Sequence, residues 1–275
     1  MLVDSGIPEE APLRQSTALS SDFGGILNRY RGQLDILDIS KLEIPITIIG
    51  AGAIGSFTAL ALAKMGCTQI TVYDDDIVEE HNLSNQYYRT EDIDSYKVDA
   101  LKDIIQAFCN VEITTKCERF EDQVLETPIV ISAVDSMDVR TQIFTRVKKD
   151  CEAVRLFVDG RMGALIGHVF CVPTNDDEKM ELFEKEFIFP NEEAMQVRCT
   201  AKTTMFTVLG ISSLISGSVV SWLSRATREF KIPFERMLDF TTMKVFPITS
   251  LSMKDDSPTV VEAITQGDEQ EQDVA

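Results

Sequence analysis

Cations are scarce in this chain. Lysine and arginine number 26 against 45 aspartates and glutamates, a formal charge of −19. That balance argues against nucleic acid as the main partner, because phosphate backbones are held by Lys and Arg. It leaves two readings, a solvated acidic surface or a basic protein partner. The six cysteines include no C-x-x-C pair, which excludes a zinc ribbon. The two histidines, His81 and His168, read as incidental rather than catalytic. No apolar run is long enough to span a bilayer, and the first residues do not read as a signal peptide. The expectation is a cytoplasmic chain with reduced thiols and no membrane partner. No internal repeat is visible.

What is present centres on residues 44–76. Ile46-Thr47-Ile48-Ile49 is an apolar, β-branched run that ends at Gly50, and Gly52 and Gly55 complete a G-x-G-x-x-G. A helical stretch from Ser56 to Lys64 follows, Gly66 closes it, and Ile70-Thr71-Val72-Tyr73 leads into Asp74. Strand, glycine turn, helix, strand and acid in that order predict a nucleotide site. Gly50 permits the tight turn, Gly52 lets backbone approach phosphate, and Gly55 lets helix pack on sheet. Asp74 lies 19 residues after Gly55, where a carboxylate can accept hydrogen bonds from ribose hydroxyls.

At 275 residues and 44% hydrophobic content, one large domain is expected. Residues 1–22 read as a flexible arm, 23–250 as the domain and 251–275 as an acidic disordered tail. Residues 26–42 carry helical spacing. Residues 74–97 form a polar loop too long to be a mere connection; its Asp76, Asn82, Asn85, Gln86, Arg89 and Lys97 can all hydrogen-bond a nucleotide. A helix over 96–108 follows, then a strand at 111–114.

The apolar run 128–134 reads as a buried parallel strand ending in Asp135-Ser136, ahead of a helix over 137–149. An acid there lies in the crevice where open α/β sheets bind ligands, although capping the helix would also explain it. Arg155–Gly160 reads as strand into turn, and 164–173 as a longer strand. Residues 174–196 read as an irregular acidic insertion or lid, 203–227 as one helix rich in small residues and too polar for a membrane, and 236–248 as final strands. The fold class is α/β: a doubly wound, Rossmann-like, mostly parallel sheet with added antiparallel strands and a long C-terminal helix.

In these motifs the chain resembles the ThiF/MoeB/HesA family of ubiquitin-activating-enzyme-like adenylating proteins. Gly50-Ala51-Gly52-Ala53-Ile54-Gly55 matches its glycine loop, and Asp74-Asp75-Asp76-Ile77-Val78 its D-x-D-x-V. Asn82-Leu83-Ser84-Asn85-Gln86 sits on its N-L-x-R-Q, Lys97 on the lysine of its G-x-x-K, and Val134-Asp135-Ser136 with Arg140 on its strand-end aspartate and downstream arginine. Two arginines are replaced. Asn85 stands in N-L-x-R-Q, with Arg89 four residues on as a substitute. Gly32 takes the second arginine of R-Y-x-R-Q, the one that reaches a partner's site in family homodimers.

The resemblance implies attack of a carboxylate on the α-phosphate of ATP, giving an acyl-adenylate and pyrophosphate. The carboxylate would be the C-terminal glycine of a ubiquitin-like or sulfur-carrier protein. It implies Lys97 at the phosphates, Asp135 on magnesium, Asp74 on ribose, the 50–55 loop around phosphate, and Asp76, Asn82, Asn85, Gln86, Arg89 and Ser136 nearby. It also implies a homodimer. Cys199, flanked by Arg198 and Lys202 ahead of the long helix, is a candidate for a second, thioester-forming step, with a buried structural thiol as the alternative. Two rivals remain: an NAD-dependent oxidoreductase on the same glycine loop, and a non-catalytic scaffold that keeps the fold.

Overall fold

Strand β1 (Ile46–Ile49) is buried at every position, as a central strand covered on both faces must be. The computed structural model describes residues 28–33, 36–37, 39–190, 204–225 and 232–248. Within them β1 belongs to an eight-stranded sheet with β2 (Ile70–Tyr73), β3 (Thr114–Lys116), β4 (Ile129–Ser132), β5 (Leu156–Gly163), β6 (Ile166–Pro173), β7 (Glu235–Asp239) and β8 (Lys244–Ile248). The order across the sheet is β3-β2-β1-β4-β5-β6-β7-β8. The first five strands pair in parallel, and β6, β7 and β8 add antiparallel. After β3 the chain crosses back past β1 to place β4. The topological switch therefore lies between β1 and β4, and a crevice opens beyond the carboxyl ends of these strands.

Helices cover both faces. On one lie α1 (Ala53–Met65), α2 (Lys97–Cys109) and, later in the chain, α5 (Met205–Ser224), closing a core that includes Ile48, Leu62, Leu101, Ile211 and Ile215. On the other, α3 (Met137–Lys149) and α4 (Asp177–Phe187) close a core of Phe144, Phe157, Phe170 and Phe183, with Phe144 and Phe183 ring centroids 4.8 Å apart. Helix α5 is long and apolar enough, by length and composition alone, to cross a bilayer, so the sequence reading of it as too polar is corrected. Its burial against the sheet marks it instead as a core helix. Ser212 Oγ donates to the Ile54 carbonyl at 3.3 Å, tying α5 to α1.

Several elements differ from their expected bounds, each for a local reason. The strand expected at 111–114 runs Thr114–Lys116; Val111 and Ile113 are buried ahead of it, and burial rather than pairing explains their apolar pattern. Asp159-Gly160 is not a turn. Strand β5 continues to Gly163 and the hairpin turns at Ala164, where φ is +43°. Gly160 is small because α5 crosses there: a Cβ would stand 2.7 Å from Ile215 Cδ1.

The acidic stretch after 174 contains α4, started by Asp176, whose side chain accepts from the Lys179 N–H at 3.1 Å. Around 26–42 the described residues include helical Asn28 and Arg29 and short 3-10 turns, Arg31–Gln33 and Ile39–Glu43. Arg29 Nη1 donates to the Cys109 carbonyl at 2.7 Å, satisfying an acceptor at the end of α2. Cys67 and Cys171 are buried, as their apolar context predicts, and burial pushes the Cys67 thiol up to about 12. The arm, the tail and Cys199 lie outside the described residues.

Candidate nucleotide site

The glycine loop is built by contact with its own surroundings. Gly50 has φ +98°, and a Cβ there would stand 2.7 Å from the Ala133 carbonyl oxygen. A Cβ on Gly55 would overlap the Gly50 carbonyl. These two glycines lock β1, α1 and β4 together. Gly52 differs: a Cβ there would meet nothing within 4 Å, yet the residue lines the large cavity of the crevice. It precedes α1, whose N-terminus carries no side-chain cap. An uncapped helix start presents backbone N–H groups and the positive end of the dipole. The site thus offers room and donors to an anion at Gly52.

Asp74, at the end of β2, braces the loop. Its Oδ2 accepts from the Ala51 N–H at 2.6 Å and its Oδ1 from the Asp76 N–H at 2.9 Å. Burial raises its pKa, against the lowering effect of those bonds and of Lys97. The segment from 74 to 97 is ordered by its own hydrogen bonds, including Val78 N–H to the Ser95 carbonyl at 2.8 Å and Lys97 N–H to the Asp76 carbonyl at 2.9 Å. Lys97 opens α2, is only 6% exposed, and places Nζ 2.7 Å from Asp76 Oδ2. Asn85 and Gln86 line the cavity, and Asn85 Oδ1 and Gln86 Oε1 are buried without a hydrogen-bond partner. An unmet buried polar atom costs about 1–3 kcal/mol, so these two oxygens call for a donor that the described residues do not supply. Either amide can rotate to present its NH2 to an anion.

Across β1 lies the other wall. Ser136 caps α3, its Oγ accepting from the Val139 N–H at 3.5 Å. Capping therefore does not account for Asp135, which is exposed at the cavity. Arg140, buried one turn into α3, donates to Asp159 Oδ1, to the Val134 carbonyl and, at 3.0 Å, to the Gly160 carbonyl. Arg161 Nε donates to Asp159 Oδ2 at 2.6 Å. Asp159 is fully buried. Burial alone would raise its pKa, but the two guanidiniums hold it below the usual carboxylate range.

The cavity measures about 840 Å³, within the span of roughly 300–1,000 Å³ typical of ligand sites. It gathers Gly50, Gly52, Asp74, Asp76, Asn85, Gln86, Lys97, Asp135 and Ser136, with Gly55 immediately behind. Asn82 and Arg89 do not line it. Asn82 is buried and its Oδ1 accepts from the Glu79 N–H at 2.9 Å. Arg89 forks onto Asp92, with Nη2–Oδ1 at 2.7 Å, and also meets Glu91. Their hydrogen bonds are spent on the loop itself, and Arg89 does not reach the cavity that Asn85 lines. Sequence reasoning passed over Glu118, Arg119, Phe120, Met137 and Arg161, which also line the cavity. Reading Asp159-Gly160 as a turn hid Arg161; the alternation of β5 past Gly160 was the available signal.

The lining carboxylates Asp74, Asp75, Asp76, Glu118 and Asp135 face the cations Lys97, Arg119, Arg140 and Arg161. Carboxylate oxygens of Asp74, Asp75 and Asp76 lie within 4.8 Å of one another, but Asp74 and Asp76 already serve Ala51 and Lys97. Asp135, exposed at the cavity, could serve as a carboxylate ligand for a hard divalent ion that needs one or two protein ligands.

A family model described as the ThiF family matches residues 30–259. The NEDD8-activating enzyme E1 catalytic subunit of Arabidopsis thaliana is 30% identical over 191 residues, 61% of this chain and 41% of that protein. The sulfur carrier protein ThiS adenylyltransferase of Escherichia coli K12 is 30% identical over 128 residues, 42% of this chain and 51% of that protein. The chain thus spans about half or less of the length of these relatives. Among solved structures, PaaA superposes with a TM-score of 0.65 at 21% identity, covering 84% of this chain and 76% of PaaA. E. coli MccB with AMPCPP and MccA gives a TM-score of 0.60 at 18% identity, covering 84% and 72%. Both share the fold described above.

Proposed function

Because the chain belongs to the ThiF family, we propose that it is an ATP-dependent adenylyltransferase that activates a C-terminal carboxylate as an acyl-adenylate. The observation that carries this reading is the open Cβ space at Gly52, in a cavity lined by Asn85 and Gln86, whose amide oxygens are buried without a hydrogen-bond partner. Phosphate approaches the 50–55 loop and the start of α1, Asp74 meets the ribose, and Asn85, Gln86 and Lys97 reach the phosphates. ATP as the nucleotide is supported by the like-folded MccB, crystallised with ATP and with AMPCPP. The lining has no excess of cations, so a triphosphate needs a divalent counter-ion. Magnesium on Asp135 and the phosphates would supply charge neutralisation at the α-phosphate. The chain's own contribution is to position the reactants and stabilise charge.

The substrate proposed is a ubiquitin-like or sulfur-carrier protein ending in glycine, in keeping with relatives named for NEDD8, SUMO and ThiS. A peptide, like the MccA seen with MccB, is the second reading. The experiment is ATP–pyrophosphate exchange with purified candidates of both kinds. Asp135→Ala is expected to reduce exchange at least about a hundredfold, the scale of losing one electrostatic stabiliser, with unchanged circular dichroism. Full exchange in that variant removes Asp135 from the mechanism. In the same assay Cys199→Ala is expected to leave exchange intact, because adenylation needs no thiol. A reductant-sensitive adduct in wild type that this variant loses would establish a thioester step, and no adduct under active exchange ends that idea.

A homodimer is also proposed. Its support is the surface of α1 and α5 around Phe57, Leu60, Met65 and Leu209, which lines a second, apolar groove. Light scattering at micromolar concentration should give twice the chain mass of 30.7 kDa; a monomer there contradicts it.

A further inference from the structure

We infer that Arg161 receives the carboxylate of the acyl substrate and so selects for a free, ionised C-terminus. This deepens the adenylation reading and rests on it. The cations that line the cavity differ in how they are employed. Lys97 is paired with Asp76 at 2.7 Å. Arg140 spends its guanidinium on Asp159 and two carbonyls. Arg119 is exposed on the loop after β3. Arg161 is held rigidly but is not used up: Nε donates to Asp159 Oδ2 at 2.6 Å and Nη2 to the Phe187 carbonyl at 2.8 Å. These bonds take two of the five N–H donors of a guanidinium.

The group is also clamped by rings. Its Cζ lies 4.9 Å from the Phe170 centroid and 5.5 Å from that of Phe183, and its side chain is 16% exposed. Phe189 adds a third ring at 5.8 Å, and two bonds and three aromatic rings fix its position before any substrate arrives, the preorganisation an electrostatic site requires. Asp159 answers two guanidiniums with one carboxylate, so the buried triad carries one positive charge in excess. That excess stands at the cavity wall formed by Arg161, Met162 and Gly163, across β4 and β1 from the acidic run Asp74–Asp76. Asp135 faces Arg140 from the end of β4 and is committed to the metal in the proposed reaction.

The chemistry calls for a cation here. A carboxylate and a triphosphate repel each other, and an arginine fork neutralises the carboxylate while fixing its plane. One carboxylate oxygen then forms the bond to the α-phosphorus. The bond from that phosphorus to the α–β bridging oxygen breaks, and its electron pair leaves with pyrophosphate. Arg161 keeps its proton throughout, and no other proton moves.

The test uses glycylglycine as the probe and glycylglycinamide as its uncharged counterpart, each titrated by saturation-transfer NMR onto the full chain with magnesium and AMPCPP present. Wild type should prefer the carboxylate form by about tenfold or more, the range of a charge-assisted contact. Arg161→Gln should lose that preference while binding AMPCPP within about twofold of wild type. Arg161→Gln breaks one of the two pairs on Asp159, so its fold is checked first by circular dichroism; where it does not hold, Arg161→Lys carries the test, with charge kept, the fork lost and a reduced preference expected. An unchanged preference in the folded variant, or none in wild type that binds AMPCPP, overturns the role of Arg161 alone. Failure of wild type to bind AMPCPP defeats the adenylation reading itself.

Discussion

Gly55→Ala is expected to cost about 3 kcal/mol or more, because a side chain there meets backbone that cannot move aside. Its Cβ would overlap the Gly50 carbonyl, and Gly50 is itself pressed against Ala133. Gly52→Ala, three residues earlier in the same motif, is expected to change stability by less than about 1 kcal/mol, the scale of exchanging glycine for alanine beside a helix start. There the Cβ enters open space, and the loss falls on nucleotide binding, by tenfold or more. Urea unfolding of the two variants separates these outcomes. Equal stability for both would mean that the loop is looser than its contacts imply.

Removing Arg140 should have a comparable effect through charge. Arg140→Met leaves the fully buried Asp159 with Arg161 alone, and breaking a buried ion pair costs about 3–5 kcal/mol. The pH dependence has a definite sign. In wild type the folded pKa of Asp159 is depressed by its two guanidiniums, below an unfolded aspartate near about 4. Its stabilising contribution is present above that unfolded value and is lost as pH falls through the lower folded one. With Arg140 gone, burial dominates and the folded pKa rises above the unfolded one, so the variant's penalty should be largest near neutral pH and should shrink as pH falls through the folded value. Urea titrations between pH 3 and about 7 would show it. A variant within about 1 kcal/mol of wild type, with the same acid limb, would show that Arg161 alone suffices.

What could be read from the chain was whatever the motif keeps in linear order. Gly50, Gly52, Gly55 and Asp74 fall on successive elements of one strand–helix–strand unit, so their spacing carries their geometry. Asn85, Gln86 and Lys97 were found by matching a pattern and by polarity. Polarity equally nominated Asn82 and Arg89, which spend their hydrogen bonds on the loop. No local signal separates a side chain that holds its loop from one that faces a ligand. Arg161 was hidden for a different reason. It reaches the cavity through the pairing of β4 with β5, a long-range fact, and Gly160 before it looked like a turn when its smallness answers to α5. Helix α4 was masked by acids, although Phe183, its one fully buried anchor, now closes the aromatic core that also clamps Arg161.

The central claim is that the crevice beside Gly52 is a magnesium–ATP site. Calorimetric titration of wild type and Gly52→Ala with AMPCPP, with and without magnesium, and with NAD tests it most directly. Wild type should bind AMPCPP in a magnesium-dependent way, Gly52→Ala should bind it at least about tenfold more weakly, and neither should bind NAD. Binding of NAD without AMPCPP, or AMPCPP binding indifferent to an alanine at Gly52, would contradict it.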